Sequence, residues 1–210
     1  MRKKIVVIGA TGTIGRAVVE ELAKRHDVLQ AGRSSAPYKV DLTDAESMKR
    51  LFDQIGPVDA VVCAAGNAHF GPLASMTAEQ FKIGLLDKLF GQVQLALIAA
   101  QRLNDAGSIT LTGGILSREP VLNGANASTV NAAVEAFVRA AAIEFPRGIR
   151  INAVSPTVVV ESMEAFGAYF RGFEPVPVAR VALAYSRSVE GAQTGKSTRS
   201  NEVVPTIARL

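Results

Sequence analysis

The 210-residue sequence has one cysteine, two histidines and no tryptophan. With Cys63 as the single thiol, an internal disulfide is excluded, and one thiol with two imidazoles supplies too few soft ligands for a structural zinc site. Blocks of like charge are absent, and the formal net charge is +4. Scattered charge argues against a nucleic-acid partner, whereas the mild basic excess suits a small anionic ligand.

Long apolar runs are missing as well. The first apolar run covers only residues 5–8, which is too short for the core of a signal peptide. No run approaches the roughly 18 uncharged apolar residues that a membrane span needs. We therefore expect a cytoplasmic protein without a membrane partner. Hydrophobic residues make up 48% of the chain and charged residues 20%, which excludes a wholly disordered chain.

Short apolar runs alternate with amphipathic stretches of helical length. The runs predict strands at residues 5–8, 28–31, 38–40, 58–62, 108–111 and 149–154, with a weak strand at 202–205. The stretches predict helices over 14–25, 44–54, 78–104, 126–145 and 178–190. Continuously apolar strands are typical of a parallel sheet covered on both faces. The pattern predicts one doubly wound α/β domain over residues 1–210, a Rossmann-type sheet of about seven strands.

The link between the second and third strands leaves an alternative open. The segment from residue 32 to 38 is too short for a crossover helix. Either it is an irregular crossover or residues 38–40 form only a strand fragment.

Three glycines follow the first predicted strand with the spacing G-x-x-G-x-x-G. Glycine lets the backbone turn sharply and approach a diphosphate, and the amides at the helix start then face that anion. The alternative is a tight turn that binds nothing. The position in the first strand–turn–helix unit of an alternating chain favours dinucleotide binding. The expected cofactor contacts in this loop are Gly9, Thr11, Gly12, Thr13, Ile14 and Gly15.

The end of the second strand distinguishes between the two nicotinamide dinucleotides. An acidic residue there would bind the ribose 2′-hydroxyl of NAD, and a basic residue the 2′-phosphate of NADP. This chain has Arg33 and Ser34 and no carboxylate in residues 31–35. The alternative is a solvated loop arginine. The guanidinium favours NADP over NAD.

Further along, the chain resembles the short-chain dehydrogenase/reductase family over almost its whole length. Asp41 and Leu42 resemble the adenine contact after the third strand, and the segment 63–66 resembles the Asn-Asn-Ala-Gly motif after the fourth. The run 150–156 resembles the strand and turn beside the nicotinamide, and 194–195 the Thr-Gly pair before the last strand. The resemblance implies further cofactor contacts at Asp41, Leu42, Ala64, Ala65, Gly66, Pro156 and Val158.

The resemblance implies hydride transfer between a nicotinamide and a small carbonyl or alcohol, with four catalytic side chains. This sequence departs from the pattern at each of them. Ala127 stands at the position of the general-acid Tyr and Asn131 at that of the Lys one turn later. Gly113 is the likeliest counterpart of the Ser, with Thr112 beside it, and Lys88 takes the place of the Asn.

Lys88 and Asn131 have therefore exchanged residue types relative to the family. We hypothesise that Lys88 reaches the nicotinamide ribose from the opposite side and that a half-dry cleft lowers its pKa enough for proton transfer. The alternative is a solvated helix lysine. Thr112 and Ser128 are the other polar candidates for catalysis, although a serine at a helix start more often caps the helix.

Two further expectations concern the substrate side and the partners. An apolar lid is predicted near residues 158–177, over a pocket for a small molecule. The apolar stripe on 81–97 and the small face of 132–142 resemble the surfaces through which the family forms dimers, which implies a homodimer or homotetramer. The alternative is that both belong to the core. A different function also stays open, that of a non-catalytic NADP(H)-binding sensor or scaffold.

Overall fold

A computed structural model describes residues 2–199 of the chain. Within them, seven strands form one parallel sheet in the order β3-β2-β1-β4-β5-β6-β7. The strands are Lys4–Ile8 (β1), Asp27–Gly32 (β2), Tyr38–Lys39 (β3), Val58–Cys63 (β4), Leu103–Thr112 (β5), Arg150–Ser155 (β6) and Ser197–Arg199 (β7). The doubly wound α/β prediction is confirmed.

Helices cover both faces of this sheet. They are Thr13–Ala23 (α1), Ala45–Ile55 (α2), Ala78–Ile83 (α3), Gly91–Ala100 (α4), Ala125–Glu144 (α5), Met163–Phe166 (α6) and Val178–Glu190 (α7). A π-helical segment, Gly84–Phe90, joins α3 and α4 into one continuous run. In β1, Val6 packs into the core under α2, α4 and α5, whereas Ile5 packs into the core under α1 and α7. Alternate strand residues therefore enter opposite cores, which explains why the strands are apolar throughout.

The strand order reverses at β1, which pairs with β2 on one side and β4 on the other. In open α/β sheets such a reversal leaves a crevice at the carboxyl ends of the strands. The fold therefore places the glycine loop after β1, residues 32–34 after β2 and residues 64–67 after β4 around one crevice.

Two predicted boundaries are wrong on the amino side of β5. The helix expected to reach residue 104 ends at Ala100, and the strand expected to start at Ser108 starts at Leu103. Leu103 pairs with Val58 ahead of a register shift, and the Arg147 guanidinium caps this junction by donating to the Ala100 carbonyl at 2.5 Å and to the Leu103 carbonyl at 2.9 Å. Such contacts from a distant loop leave no trace in local periodicity.

The link from β2 to β3 is an irregular crossover, and β3 is a two-residue strand. The weak strand predicted at 202–205 lies outside the described residues, whereas β7 forms at Ser197–Arg199. The run Ala78–Ala100 is long and apolar enough by length and composition to cross a membrane. Because Gln92 and Leu95 in this run are fully buried inside the protein, its α4 part is a core helix.

Candidate active site

The glycine loop is held together by close backbone contacts. Gly9 has φ +79°, and a Cβ on it would lie 2.6 Å from the Ala64 carbonyl oxygen. A Cβ on Gly15 would lie 2.0 Å from the Gly9 carbonyl oxygen. Gly12 precedes α1 in extended conformation, is exposed, and gives the helix no side-chain cap. The amino end of α1 therefore faces the crevice uncapped, an arrangement suited to an anion.

A cavity of about 340 Å³ lies beside the segments that the sequence predicts to bind adenosine, and we name it the adenosine half of the cleft. Arg33 stands at its edge, with its Nε 3.3 Å from Asp41 Oδ2 and an Nη2 3.9 Å from Asp87 Oδ2. Hydrogen bonds from the amide and hydroxyl of Thr43, together with the nearby Arg33 charge, lower the pKa of Asp41. Asn67 donates to Asp87 at 2.7 Å. A guanidinium is thus held beside the cavity by two carboxylates.

A second cavity of about 300 Å³ shares residues 64–67 with the first, and we name it the nicotinamide half after the ring that the sequence predicts there. Lys88 lines it and donates from Nζ to the Gly113 carbonyl at 2.9 Å. Burial lowers the pKa of Lys88 to about 8. Gly66 has φ +126°, and a Cβ on it would lie 2.9 Å from Lys88 Cγ. The lysine is therefore half-buried at the cleft and bonded to Gly113, which favours a place in the site over the alternative of a solvated helix lysine.

The π-helical segment Gly84–Phe90 carries Lys88. At its end the Gly91 amide donates to the Leu86 carbonyl five residues back, which defines the wide turn. π-Helical turns are rare, occur inside α-helices and are frequent at functional sites. The widened turn is therefore a second observation, besides the lowered pKa of Lys88, that indicates a functional site at this residue.

Asn131 approaches the same place from α5. It is 4% exposed and lines the nicotinamide half. Its Nδ2 would lie 2.5 Å from a Cβ on Gly114, and its Oδ1 is buried without a hydrogen-bond partner. Lys88 and Asn131 thus flank the Gly113–Gly114 dipeptide. An unpaired buried amide oxygen is costly, and a ligand hydroxyl would satisfy it.

Thr112 lines the cleft, but its hydroxyl is engaged elsewhere. Oγ1 donates to the Cys63 carbonyl and accepts from the Tyr185 hydroxyl, both at 2.5 Å. A hydroxyl has one proton, so Thr112 has none left to donate to a substrate. Ser128 has a buried hydroxyl without a partner and lies outside the residues that line either half.

The rest of the nicotinamide half is apolar. Ile115, Leu116, Ala127, Val158 and Phe170 form a buried cluster in its wall. Phe70 and Phe166 also line this half, with ring centroids 6.0 Å apart, and Tyr169 packs against Phe70 at 4.9 Å without lining the cleft itself. The predicted apolar lid thus corresponds to a segment that contributes Phe166 and Phe170 to the cleft.

Sequence reasoning missed a buried carboxylate behind this wall. Glu135 lies one turn beyond Asn131 and is 4% exposed. Its Oε1 accepts from Ser117 at 2.8 Å and from Ser155 at 2.7 Å, and Arg118 lies 3.3 Å from its Oε2. These bonds tie α5 to β6 and to the turn after β5. A charged residue on the apolar side of the predicted helix was the available signal.

Most predicted site residues border the cleft. Those around the adenosine half are Gly9, Thr11, Gly12, Arg33, Ser34 and Leu42. Those around the nicotinamide half are Ile14, Lys88, Thr112, Asn131, Pro156 and Val158. Ala64, Ala65 and Gly66 border both halves. Thr13, Gly15, Asp41 and Ser128 do not line either half, although Gly15 and Asp41 position residues that do.

Comparisons with known proteins agree with this geometry. A family model described as enoyl-(acyl carrier protein) reductase matches residues 4–190. L-xylulose reductase from Homo sapiens is 31% identical over 179 residues, which cover 77% of this chain and 73% of that protein. The crystal structure of lin1944 from Listeria innocua is 49% identical with a TM-score of 0.92 and covers 93% of this chain and 98% of its own. A small-chain dehydrogenase crystallised with NADPH is 28% identical with a TM-score of 0.84, covering 95% of this chain and 96% of its own. The chain belongs to the short-chain dehydrogenase/reductase family.

Proposed function

We propose that the protein is an NADP(H)-dependent oxidoreductase that interconverts a small carbonyl and its alcohol through a rearranged active site. The observation that carries this proposal is the ammonium of Lys88, which lies inside the nicotinamide half of the cleft and donates to the Gly113 carbonyl at 2.9 Å. An ammonium has three donors, so two remain for other ligands. The cleft therefore offers a proton donor where Ala127 offers none.

The residues present fit a nicotinamide dinucleotide. The close-packed glycine loop leaves the amino end of α1 open to a diphosphate. Arg33 supports NADP over NAD, since its guanidinium can accommodate a 2′-phosphate. The unpaired Oδ1 of Asn131 is an acceptor for a ribose hydroxyl. The NADPH-bound relative supports the same assignment.

When bound, NADPH supplies a hydride to the carbonyl carbon of the substrate. The protein's own part is the proton, which Lys88 Nζ donates to the substrate oxygen as its charge develops. Asn131 would hold the ribose from α5, and Lys88 would contact it from the opposite side. In a crystal soaked with NADP, a separation between Nζ and the ribose hydroxyls well beyond 3.2 Å would remove the contact to the ribose.

Turnover tests the chemistry. A panel of carbonyls with NADPH is expected to yield substrates for the wild type. Lys88→Met is expected to lower kcat at saturating NADPH about 100-fold or more, whereas loss of the ribose contact should weaken NADPH binding by about tenfold. Lys82→Met is the matched control, because Lys82 lies on the same helical run and pairs with Glu79 at the surface. Tight NADPH binding without turnover of any carbonyl would favour the alternative of a sensor or scaffold. Absence of NADPH binding would exclude both.

The lowered pKa of Lys88 provides two readouts. In the reductive direction the ammonium is required, so kcat/KM is expected to fall about tenfold per pH unit above pH about 8. Stability is the second readout, because the folded protein binds its Lys88 proton more weakly than the unfolded chain does. Charged Lys88 thus costs stability at neutral pH, and the stability of the wild type relative to Lys88→Met is expected to rise between pH about 8 and 10.5. A flat difference across this range would contradict the lowered pKa.

We also propose that the protein forms a homodimer or homotetramer through the run Ala78–Ala100 and α5. Leu86, Phe90 and Leu97 are 56%, 54% and 52% exposed on the first, and Ile143 is 87% exposed at the end of the second. Exposed apolar side chains in such density favour burial against a second copy. Light scattering is expected to give at least twice the mass of one chain. Leu97→Glu should reduce it, whereas Leu183→Glu on α7 should not.

A further inference from the structure

The nicotinamide half of the cleft has a single charged side chain among the described residues that line it. This side chain is that of Lys88. The buried cluster of Ile115, Leu116, Ala127, Val158 and Phe170 supplies five of the lining side chains, and Phe70 and Phe166 add two rings. A substrate in this half therefore meets carbon over most of its surface.

Two of the polar side chains in this half are already committed. The Asn67 amide donates to Asp87 at 2.7 Å, and the Thr112 hydroxyl donates to the Cys63 carbonyl. Lys88 and Asn131, by contrast, converge on the Gly113–Gly114 dipeptide. Because both side chains lie at this one place, they can bind a single polar group of the substrate, next to the ribose of the cofactor.

Size limits the ligand further. The nicotinamide half measures about 300 Å³, at the lower end of the range of ligand pockets. The nicotinamide ring must share this volume with the substrate. The remaining space suits one ring or a branched group of similar size.

On the basis of the proposed function, we infer that the substrate class is a small uncharged carbonyl compound with an aromatic or branched apolar body. Its carbonyl oxygen lies at Lys88, and its body packs against Phe170 and Phe166. Thr157 and Ser162 are the other polar side chains among the described residues that line this half, so most hydroxyls of a sugar placed against the apolar wall would lose their hydration without a partner, which is costly. The protein thus differs in substrate class from its relative L-xylulose reductase, which is named for a sugar.

Paired substrates test the inference on the NADPH-loaded protein. With benzaldehyde and a pentulose as probes, kcat/KM is expected to be at least about 100-fold higher for the aromatic aldehyde. Phe166→Ala should raise the KM for benzaldehyde about 5- to 10-fold with little change in kcat. Tyr169→Ala is the matched control, because Tyr169 also contacts Phe70 but does not line the cleft. Its KM is expected to stay within about twofold of the wild type.

Binding is measured separately, so that failure of the inference differs from failure of the proposed function. Saturation-transfer NMR on the NADP-loaded protein is expected to detect benzaldehyde, and its titration is expected to give a Kd about 5- to 10-fold higher in Phe166→Ala. A pentulose preferred over benzaldehyde would overturn the inference and leave the oxidoreductase proposal standing. Bound benzaldehyde without turnover of any carbonyl would support the apolar ligand class and overturn the reaction. Absence of both binding and turnover of benzaldehyde would overturn the inference.

Discussion

The two halves of the cleft differ in whether backbone or side chains form the binding surface. The adenosine half depends on backbone shape, since Gly9 and Gly15 are positions where any side chain would meet a carbonyl oxygen. The nicotinamide half depends on side chains, and there the sequence resemblance predicts departures from the family pattern at Ala127, Asn131 and Lys88. A site made by backbone geometry cannot change without disturbing the fold. A site made by side chains on stable helices can be rearranged while the fold stays the same.

Among the substitutions that test this difference between the two halves, Gly15→Ala is expected to have the largest effect, and the quantity affected is the stability of the protein. The new Cβ would lie 2.0 Å from the Gly9 carbonyl oxygen, so backbone must move on both sides of the turn. We expect the free energy of unfolding to fall by at least about 3 kcal/mol in chemical denaturation without cofactor. Gly12→Ala is the control, because its Cβ would lie 3.4 Å from the same oxygen. It should cost below about 1 kcal/mol while weakening NADPH binding, and equal losses would break the comparison.

Arg33→Ala tests the side chain in the adenosine half that we propose to bind the 2′-phosphate of NADP. Loss of a charged donor to the 2′-phosphate is expected to raise the Kd for NADPH about 10- to 100-fold and to leave that for NADH nearly unchanged. Isothermal titration measures both. Arg50→Ala is the control, since this exposed arginine also lies 3.3 Å from a carboxylate, that of Asp44. A parallel loss for NADH would mean that Arg33 maintains the loop instead of reading the phosphate.

Asn131 variants test whether the nicotinamide half works as one electrostatic unit. A carboxylate in Asn131→Asp would favour the charged form of Lys88 and raise its pKa by about one unit. An ammonium in Asn131→Lys would lower it by a similar amount. The alkaline limb of the pH profile of kcat/KM is expected to move in these opposite directions. Profiles that stay in place would show that the two side chains do not act on each other.

Thr112→Val is expected to have the smallest effect on catalysis. Removing Oγ1 leaves the buried Tyr185 hydroxyl without its acceptor and costs about 1–3 kcal/mol of stability. Turnover should remain within about threefold because Thr112 has no proton left for a substrate. Thr129→Val is the control, since its exposed hydroxyl bonds only within α5, to the Ala125 carbonyl. A large fall in kcat with little loss of stability would contradict this prediction and would indicate that Thr112 takes part in catalysis.

The local sequence pattern was sufficient to predict those parts of the cleft that depend on the order of strands and the spacing of glycines. The glycine spacing and the residues after β2 and β4 predicted which segments would border the cleft, because a parallel sheet brings strand ends together. The local pattern could not predict contacts between segments that are distant in sequence. The bonds of Glu135 to Ser117 and Ser155, and of Arg147 to Ala100 and Leu103, join residues far apart in sequence.

The widened helical turn at Lys88 was missed for a different reason. The stripe of Phe81, Leu85, Leu89, Val93 and Leu97 recurs every four residues and was interpreted as an ordinary helix face. An α-helix has 3.6 residues per turn, so a strict spacing of four drifts around it. The spacing itself was the available signal of a wider turn.

This wider turn makes the position of Lys88 depend on residue count as well as on residue type. Deleting one residue from Gly84–Phe90 would let the segment return to α-helix with its two flanks nearly in place, and residues inside the former wide turn, Lys88 among them, would point in a different direction around the helix axis. Asn126 anchors the amino side by donating to the Phe81 carbonyl, and Gln92 anchors the carboxyl side through Thr112. A single-codon deletion here would swing the ammonium away from the cofactor while both anchors kept the sheet intact, so the site is open to inactivation by a change that alters no catalytic residue.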